Sequence, residues 1–421
     1  SSYHLLTFGF MIEDNTIFKQ FKKLLPGHYI LVQNEKIEIK QYFILDNTPN
    51  YEQNEEEIIS NIDVLFKKAV RRAFDKDVEY GYKHLVGLSG GLDSRMTTWV
   101  ANSLGYGENI VNFTFSQSDY LDETVPKKIA SDLHHEWIFK SLDNGTFLKT
   151  IDEVVKINSG GALYYGLAHS KSCLDLIDNS KFGIIHTGQL GDVVIGTFFS
   201  SLDDNKEYSL NDGAYSSMLL KKVMQEDVKN DYKNEEIFKF YTRGFTGANQ
   251  GLLIAQQTNE TYSPFYDVDF MSYCLTIPVK YRFRHKIYKK WILSKYPDAA
   301  NYKWEKINGT IKDYSVVIMG REVLLKTLPI KLFAFLLKKA GIKKDSIATK
   351  NHMNPLDYWY QTNQSLRNFM DEYYETNIVL LDGFVELKKD CEFLYSKGSN
   401  VEKNQVLTLL SVMKLYFGED S

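Results

Sequence analysis

Cysteine is scarce in this chain. Cys173, Cys274 and Cys391 are the only three in 421 residues, far apart and odd in number. That argues against a disulfide framework and for a reducing, cytoplasmic compartment. No Cys-x-x-Cys occurs, which argues against a structural zinc or a thiol relay. An excess of one charge is also missing. The net charge is −4, so bulk electrostatics calls for no nucleic-acid partner. No apolar run reaches membrane-spanning length, and no secretory signal is visible. An initiating methionine is absent too: the chain opens at Ser1 in mid-pattern and reads as part of something longer. What remains is ordinary for a globular protein, 43% hydrophobic and 25% charged, with length for two or three domains.

The most informative stretch runs from His84 to Gly105. Leu85 to Leu88 is a short apolar run suited to a buried strand. Met96, Trp99, Val100 and Leu104 share one helical face, and Gly105 supplies a stop. Between them lies Ser89-Gly90-Gly91-Leu92-Asp93-Ser94. Two glycines let the backbone approach a ligand, and a helix start aims free N–H groups into the turn. Ser89 and Ser94 add hydroxyls, completing a cradle for phosphate or pyrophosphate. Asp93 would repel a bare anion, so it implies a bridging divalent cation. No lysine follows the glycines, which separates this turn from the Gly-Lys-Ser/Thr nucleotide loop. A serine–glycine turn without a ligand is the bland alternative.

Around this stretch, strands and helices alternate. Tyr29–Val32 and Lys36–Phe43 read as a hairpin after the Pro26-Gly27 turn. Asn47 to Asn54 is a polar linker, and Ile58, Ile62, Leu65 and Ala69 mark a helix running to about Phe74. Ile110–Phe115, His135–Phe139 and Gly183–His186 read as further strands, with helices between them. The alternation predicts a doubly wound, parallel α/β sheet. Ligands in such sheets sit beyond the strands' carboxyl ends, where both Ser89–Ser94 and Thr187–Asp192 fall. Ser159-Gly160-Gly161 reads as a connection between helices, and His134-His135 point to opposite faces rather than to one metal.

With these motifs in hand, the chain resembles the asparagine synthetase family of ATP-dependent amidotransferases. Leu25-Pro26-Gly27-His28-Tyr29 resembles the closing hairpin of that family's glutaminase domain, and Ser89–Ser94 its pyrophosphate loop. Asp122-Glu123 and His134-His135-Glu136 resemble its next helix and strand. Thr187–Gly196 resembles its second nucleotide loop, Ser263–Asp267 its Pro-Phe-Leu-Asp element, and Trp304-Glu305-Lys306 its lysine loop. These run in family order over residues 1–310. The resemblance implies three parts: residues 1–48 as the end of a glutaminase-type domain, 49–310 as an ATP-pyrophosphatase synthetase domain, and 311–421 as its mainly helical extension.

It also implies a reaction. A carboxylate such as aspartate is adenylated by ATP and amidated by ammonia, releasing AMP and pyrophosphate. Ser89, Gly90, Gly91, Leu92 and Ser94 would hold pyrophosphate, and Asp93 and Asp192 would hold magnesium. Leu88, Phe115, Thr187 and Gly188 would line the adenine and ribose pocket, and Lys306 would neutralise charge at the reacting phosphate. Two departures stand out. The family's glutaminase nucleophile is a cysteine, and none precedes Cys173. The family's glutamate in the second loop aligns with Gln189, whose carboxamide cannot serve as a general base. A glutaminase domain outside this chain is therefore an expected partner. The acceptor is left open among aspartate, a sugar acid, a peptide or an intramolecular ring closure, with a nucleotide-binding scaffold as the non-catalytic alternative. A transfer-RNA-modifying enzyme with the same loop fits poorly, given the low basic charge. Farther on, Leu332–Leu337 with its trailing lysines reads as a core helix rather than a membrane-surface segment, Asn354–Tyr360 as aromatic packing with part of an acceptor pocket as the alternative, and Gln405–Phe417 as a helix whose apolar stripe docks on the domain.

Overall fold

A computed structural model gives the architecture and describes residues 1–223, 228, 231–318, 321–329 and 348–418. The Leu332–Leu337 stretch and its lysines lie outside the described residues.

β1 (His28–Gln33) and β2 (Lys36–Gln41) form the expected antiparallel hairpin. Its two-residue turn, Asn34-Glu35, has φ of 50° and 61°, the hand that suits a tight hairpin. The central sheet comprises β3 (Lys83–Gly87), β4 (Ile110–Ser116), β5 (Glu136–Ser141), β6 (Phe182–His186) and β7 (Glu260–Tyr262). All neighbours are parallel, in the order β5-β4-β3-β6-β7. The chain leaves β3 toward one edge through β4 and β5, then returns to the other side with β6. The two adjacent strands β3 and β6 therefore form the switch point of the sheet, where α/β folds place ligands. The mixed α/β class with a parallel sheet is as expected, consistent with a doubly wound arrangement; β7 has only three residues and gives no readable signal.

Side-chain alternation sorts the two faces. Val86 packs with the Glu55–Tyr80 helix, the Asp93–Ala101 helix and the Val268–Lys295 helices. Leu85, Val111, Phe113 and Ile185 pack on the opposite side against the Ile151–Asn158 and Tyr165–Leu174 helices and the C-terminal helices. The Glu55–Tyr80 helix starts at an Asn54–Glu57 capping box and ends six residues beyond the expected Phe74. The polar Asp77 on its inner face broke the apolar period, because that carboxylate is buried by pairing rather than exposed. Gly105 does end the next helical stretch, at φ 96°.

Among the described residues the C-terminal region is mainly helical, as expected, with one small sheet: β8 (Ser315–Ile318) and β9 (Arg321–Leu324) form a hairpin pinned by Lys289 Nζ to Glu322, 2.9 Å. The Asn400–Phe417 helix docks on the domain as expected, but over more than its apolar stripe. It is buried on every side from Asn404 to Val412, while Phe417 is exposed. Part of its polar content is hydrogen-bonded: Asn404 Nδ2 donates to Asn400 O at 2.6 Å, Thr408 Oγ1 to Asn404 O at 2.6 Å and Ser411 Oγ to Asp152 at 2.7 Å, while Asn404 Oδ1 and both polar side-chain atoms of Gln405 are buried without a protein partner. The Ser2–Phe8 helix packs on this same helix, and Met11 N donates to Gly161 O at 3.0 Å. After the non-helical stretch 348–355, the further helices here are Leu356–Thr362, Gln364–Asn377 and Val385–Lys397.

Candidate active site

The Ser89–Ser94 turn follows β3 and the Thr187–Asp192 turn follows β6, so neighbouring strands deliver them side by side. Gly188 sits against the start of the Asp93–Ala101 helix: a Cβ there would lie 2.3 Å from Ser94 N. Only glycine permits the two turns to touch. Asp93 occupies the first position of that helix but does not cap it. Its carboxylate accepts from Tyr288 Oη at 2.9 Å and from the Asp192 backbone N–H. The two carboxylates therefore converge, as a shared cation site requires.

A cavity of about 510 Å³ opens over them, lined by Ser89, Gly91, Leu92, Asp93, Tyr120, Asp122, Asp192, His285, Tyr288, Trp304, Glu305, Lys306, His352 and Met353. Acid dominates its wall. Burial, then the neighbouring Asp192 charge, raises the Asp93 carboxyl well above its ordinary range. Burial and then Asp122 raise Glu305, and burial raises Asp122. Asp192 runs the other way. Burial opposes its charge, but His285, then Lys306 and Arg243, outweigh that and lower it. A half-exposed carboxylate with His285 Nε2 at 4.0 Å supports that direction. Lys306 lines this wall, its Nζ 5.5 Å from the Trp304 ring centroid. Asp93, Asp122, Asp192 and Glu305 thus line this cavity together with Lys306, and Asp93 and Asp192 are the two residues in it that could hold a divalent cation.

Arg95 holds this wall in place. Fully buried, it donates to the carbonyls of Gly90, Ala299, Tyr302 and Lys303 and so ties the glycine turn to the loop carrying Glu305 and Lys306. Gly90 lies behind the turn rather than in the cavity. Its N–H donates to Asp122 Oδ1 at 2.8 Å, so that amide is not offered to a ligand. Ser89 N and Gly91 N are likewise spent on Ser94 Oγ and Ser89 Oγ. The loop amides in hand for an anion are therefore those of the helix start, beyond Gly91.

A second cavity, of about 410 Å³, adjoins the first and shares Ser89, Gly91, Asp93 and Met353 with it. Leu88, Ser94, Phe115, Thr187, Gly188 and Gln189 line it. Leu88 also packs with Val125 and Ile129. Phe115 stacks on His169, centroids 4.8 Å apart. Gln189 donates its Nε2 to Ala248 O at 2.9 Å. Gln189 and Lys306 thus face different cavities. His134 and His135 are separated as read: His135 is buried between Asn112 and Asn102. Sequence reasoning missed Tyr288, His285, Arg95 and His169. None sits in a recognisable motif; each acts across more than fifty residues of chain or through backbone carbonyls.

Comparison with known proteins agrees with this geometry. The family model for asparagine synthase matches residues 61–238, which span both turns but stop short of Ser263–Asp267 and Lys306. The match supports a ligase-type enzyme and, at family level, ATP-dependent amidation. No curated protein matches the chain. Among the described residues, no helix is long and apolar enough to cross a membrane.

Proposed function

We propose that the chain adenylates a carboxylic acid with ATP and passes the acyl group to a nitrogen nucleophile, ammonia in the simplest case. The observation that carries this reading is the convergence of Asp93, Asp192 and Lys306 on one cavity at the switch point, beside a cavity of nucleotide size. An acceptor carboxylate oxygen bonds to the α-phosphorus. The bond from that phosphorus to the bridging oxygen breaks, and pyrophosphate leaves. The nucleophile then attacks the acyl carbon and AMP departs. Such chemistry needs positioning and charge stabilisation more than covalent help.

The residues divide that work. The start of the Asp93–Ala101 helix, with the Ser94 hydroxyl, receives the departing pyrophosphate. Asp93 and Asp192 would hold magnesium, which when bound offsets phosphate charge and polarises the α-phosphorus. Lys306 stabilises negative charge at the reacting phosphate. Tyr288 orients Asp93, and His285 keeps Asp192 ionised. Phe115 and His169 form a flat wall for adenine. Gln189 cannot remove a proton, so the nucleophile sheds its proton elsewhere.

Nitrogen supply from a glutaminase-type domain fits the exposed hairpin. Ile30 pairs with Ile39 and Val32 with Ile37, giving one apolar face exposed at 50–71%. A reducing cytoplasmic setting fits the three buried free thiols. Radiolabelled pyrophosphate should exchange into ATP in the presence of magnesium and a suitable acid. Magnesium-ATP binding without exchange across a broad acid panel would replace this reading with a nucleotide-binding scaffold.

A further inference from the structure

A third cavity, of about 590 Å³, is larger than either of the two already described. It shares Gly166, His169, Ala248, Gly251 and Met353 with the nucleotide cavity, and His352 and Met353 with the acid cavity. Met353 lines all three, so this space opens where an acceptor would meet the α-phosphate. The Tyr165–Leu174 helix and the 348–358 segment flank it. Asn354 Nδ2 bonded to His169 Nδ1 at 2.8 Å ties those two walls together.

We propose that this cavity takes the acceptor acid, and that the acceptor carries its carboxylate on an uncharged, largely apolar or aromatic body. The inference rests on the adenylation reading and adds the substrate class. Free aspartate would bring a second carboxylate and an ammonium into the cavity, and each charge needs a partner there. Among the described lining residues there is no lysine or arginine. The single carboxylate, Asp357, is already held by Asn400 N at 3.0 Å and Asn400 Nδ2 at 2.6 Å. His169 is neutral, burial having pushed it down to about 4. His352 Nδ1 already accepts from Asn354 N at 3.0 Å. A uronic acid is matched in part only: Gln250, Thr349 and Asn351 offer polar partners to its hydroxyls, but Phe10, Leu163, Leu167 and the rings of Tyr165, Tyr215 and Tyr358 make the larger, apolar share of the wall. Rings and methyls match an apolar body of drug-like size.

The test has two readouts on the full chain. Calorimetry measures binding of L-aspartate, D-glucuronate, phenylbutyrate and N-acetyl-leucyl-phenylalanine, each with and without magnesium-ATP. Pyrophosphate exchange is then read with the same four acids. Phenylbutyrate or the capped dipeptide should bind and exchange at least about tenfold better than aspartate or glucuronate. Tyr358→Lys, which adds a cation to the wall, should lower that preference about tenfold, with magnesium-ATP binding on the same sample reporting an intact fold. Equal or better exchange with aspartate or glucuronate overturns the proposal. So does normal magnesium-ATP binding with no binding of either apolar acid. Absence of magnesium-ATP binding instead breaks the adenylation reading, and the acid titrations without nucleotide still decide the cavity's preference.

Discussion

Two acidic clusters attach to the same pair of strands and behave in opposite ways. Beneath β3 and β6, Asp77 Oδ2 accepts from His84 Nδ1 at 2.9 Å and His186 Nε2 at 2.7 Å, while Oδ1 accepts from Ile184 N at 2.9 Å. Burial disfavours its charge, but the bonds from His186 and His84 outweigh that and hold it below the usual carboxylate range. The three groups have metal-like proximity. Yet each imidazole donates a proton to Asp77, and the outer nitrogens, His84 Nε2 and His186 Nδ1, carry no partner. That is the pattern of two rings closing around one anion. Burial lowers His186 despite Asp77. Beyond the strand ends, Asp93 and Asp192 face each other with Glu305 and Asp122 nearby, and the Asp93 carboxyl rises. The lesson is that shared burial says little. A carboxylate satisfied by donors holds the fold together, whereas a carboxyl held beside another carboxylate is raised and carries the proposed chemistry.

The largest effect should come from opening the closed cluster. Asp77→Ala leaves two buried rings and the Ile184 N–H without their acceptor, and should cost about 3–5 kcal/mol in denaturant unfolding. A loss under about 1 kcal/mol would mean the cluster is not a structural clasp. The open cluster should respond in reverse. Asp93→Asn should lower exchange on the order of 10²–10³-fold without lowering the unfolding midpoint, because it removes a carboxyl whose charge burial and Asp192 disfavour. An unfolding midpoint that falls as far as in Asp77→Ala would erase the distinction between the clusters.

Much of this contrast was legible in the sequence, on one side only. Ser-Gly-Gly-Leu-Asp-Ser after an apolar strand placed the first turn, and the βα alternation put the second at the same carboxyl edge of the sheet; that β3 and β6 are neighbours is visible only in the structure. Asp77, His84 and His186 carried no signal: they are a helix residue and two strand residues whose meeting depends on the register of β3 with β6. Gly90 illustrates the limit within a motif. The motif puts its amide on pyrophosphate, yet Asp122, thirty-two residues on, takes it. Tyr288 and Arg95 are likewise visible only once helices pack. The Asn400–Phe417 helix misleads for a simpler reason, since side-chain hydrogen bonds buried residues that patterning assigns to solvent.

Smaller perturbations sharpen the comparison. Gly188→Ala pushes a methyl toward Ser94 N and should separate the two turns, costing about 1–3 kcal/mol in stability and more in exchange than in folding. A variant with full exchange would show that the turns need not touch. The mildest effect is acid titration of a neutral interior histidine remote from both clusters. Burial, then His134, lowers His135 from about 6.5 to about 4. Between those values the unfolded chain binds a proton that the folded chain does not, so stability should fall as pH drops through that window. His135→Gln should flatten the slope of unfolding free energy between pH 6.5 and pH 4; an unchanged slope would show that His135 is protonated in the folded state.

The most direct test of the open cluster is calorimetric titration of the intact chain with ATP, in magnesium and again in chelator, repeated on Asp192→Asn. The expected result is binding that depends on magnesium and weakens at least about tenfold in the variant. Equal affinity in chelator, or an unaltered Asp192→Asn, would contradict the assignment of Asp93 and Asp192 to a cation that carries the nucleotide's phosphates.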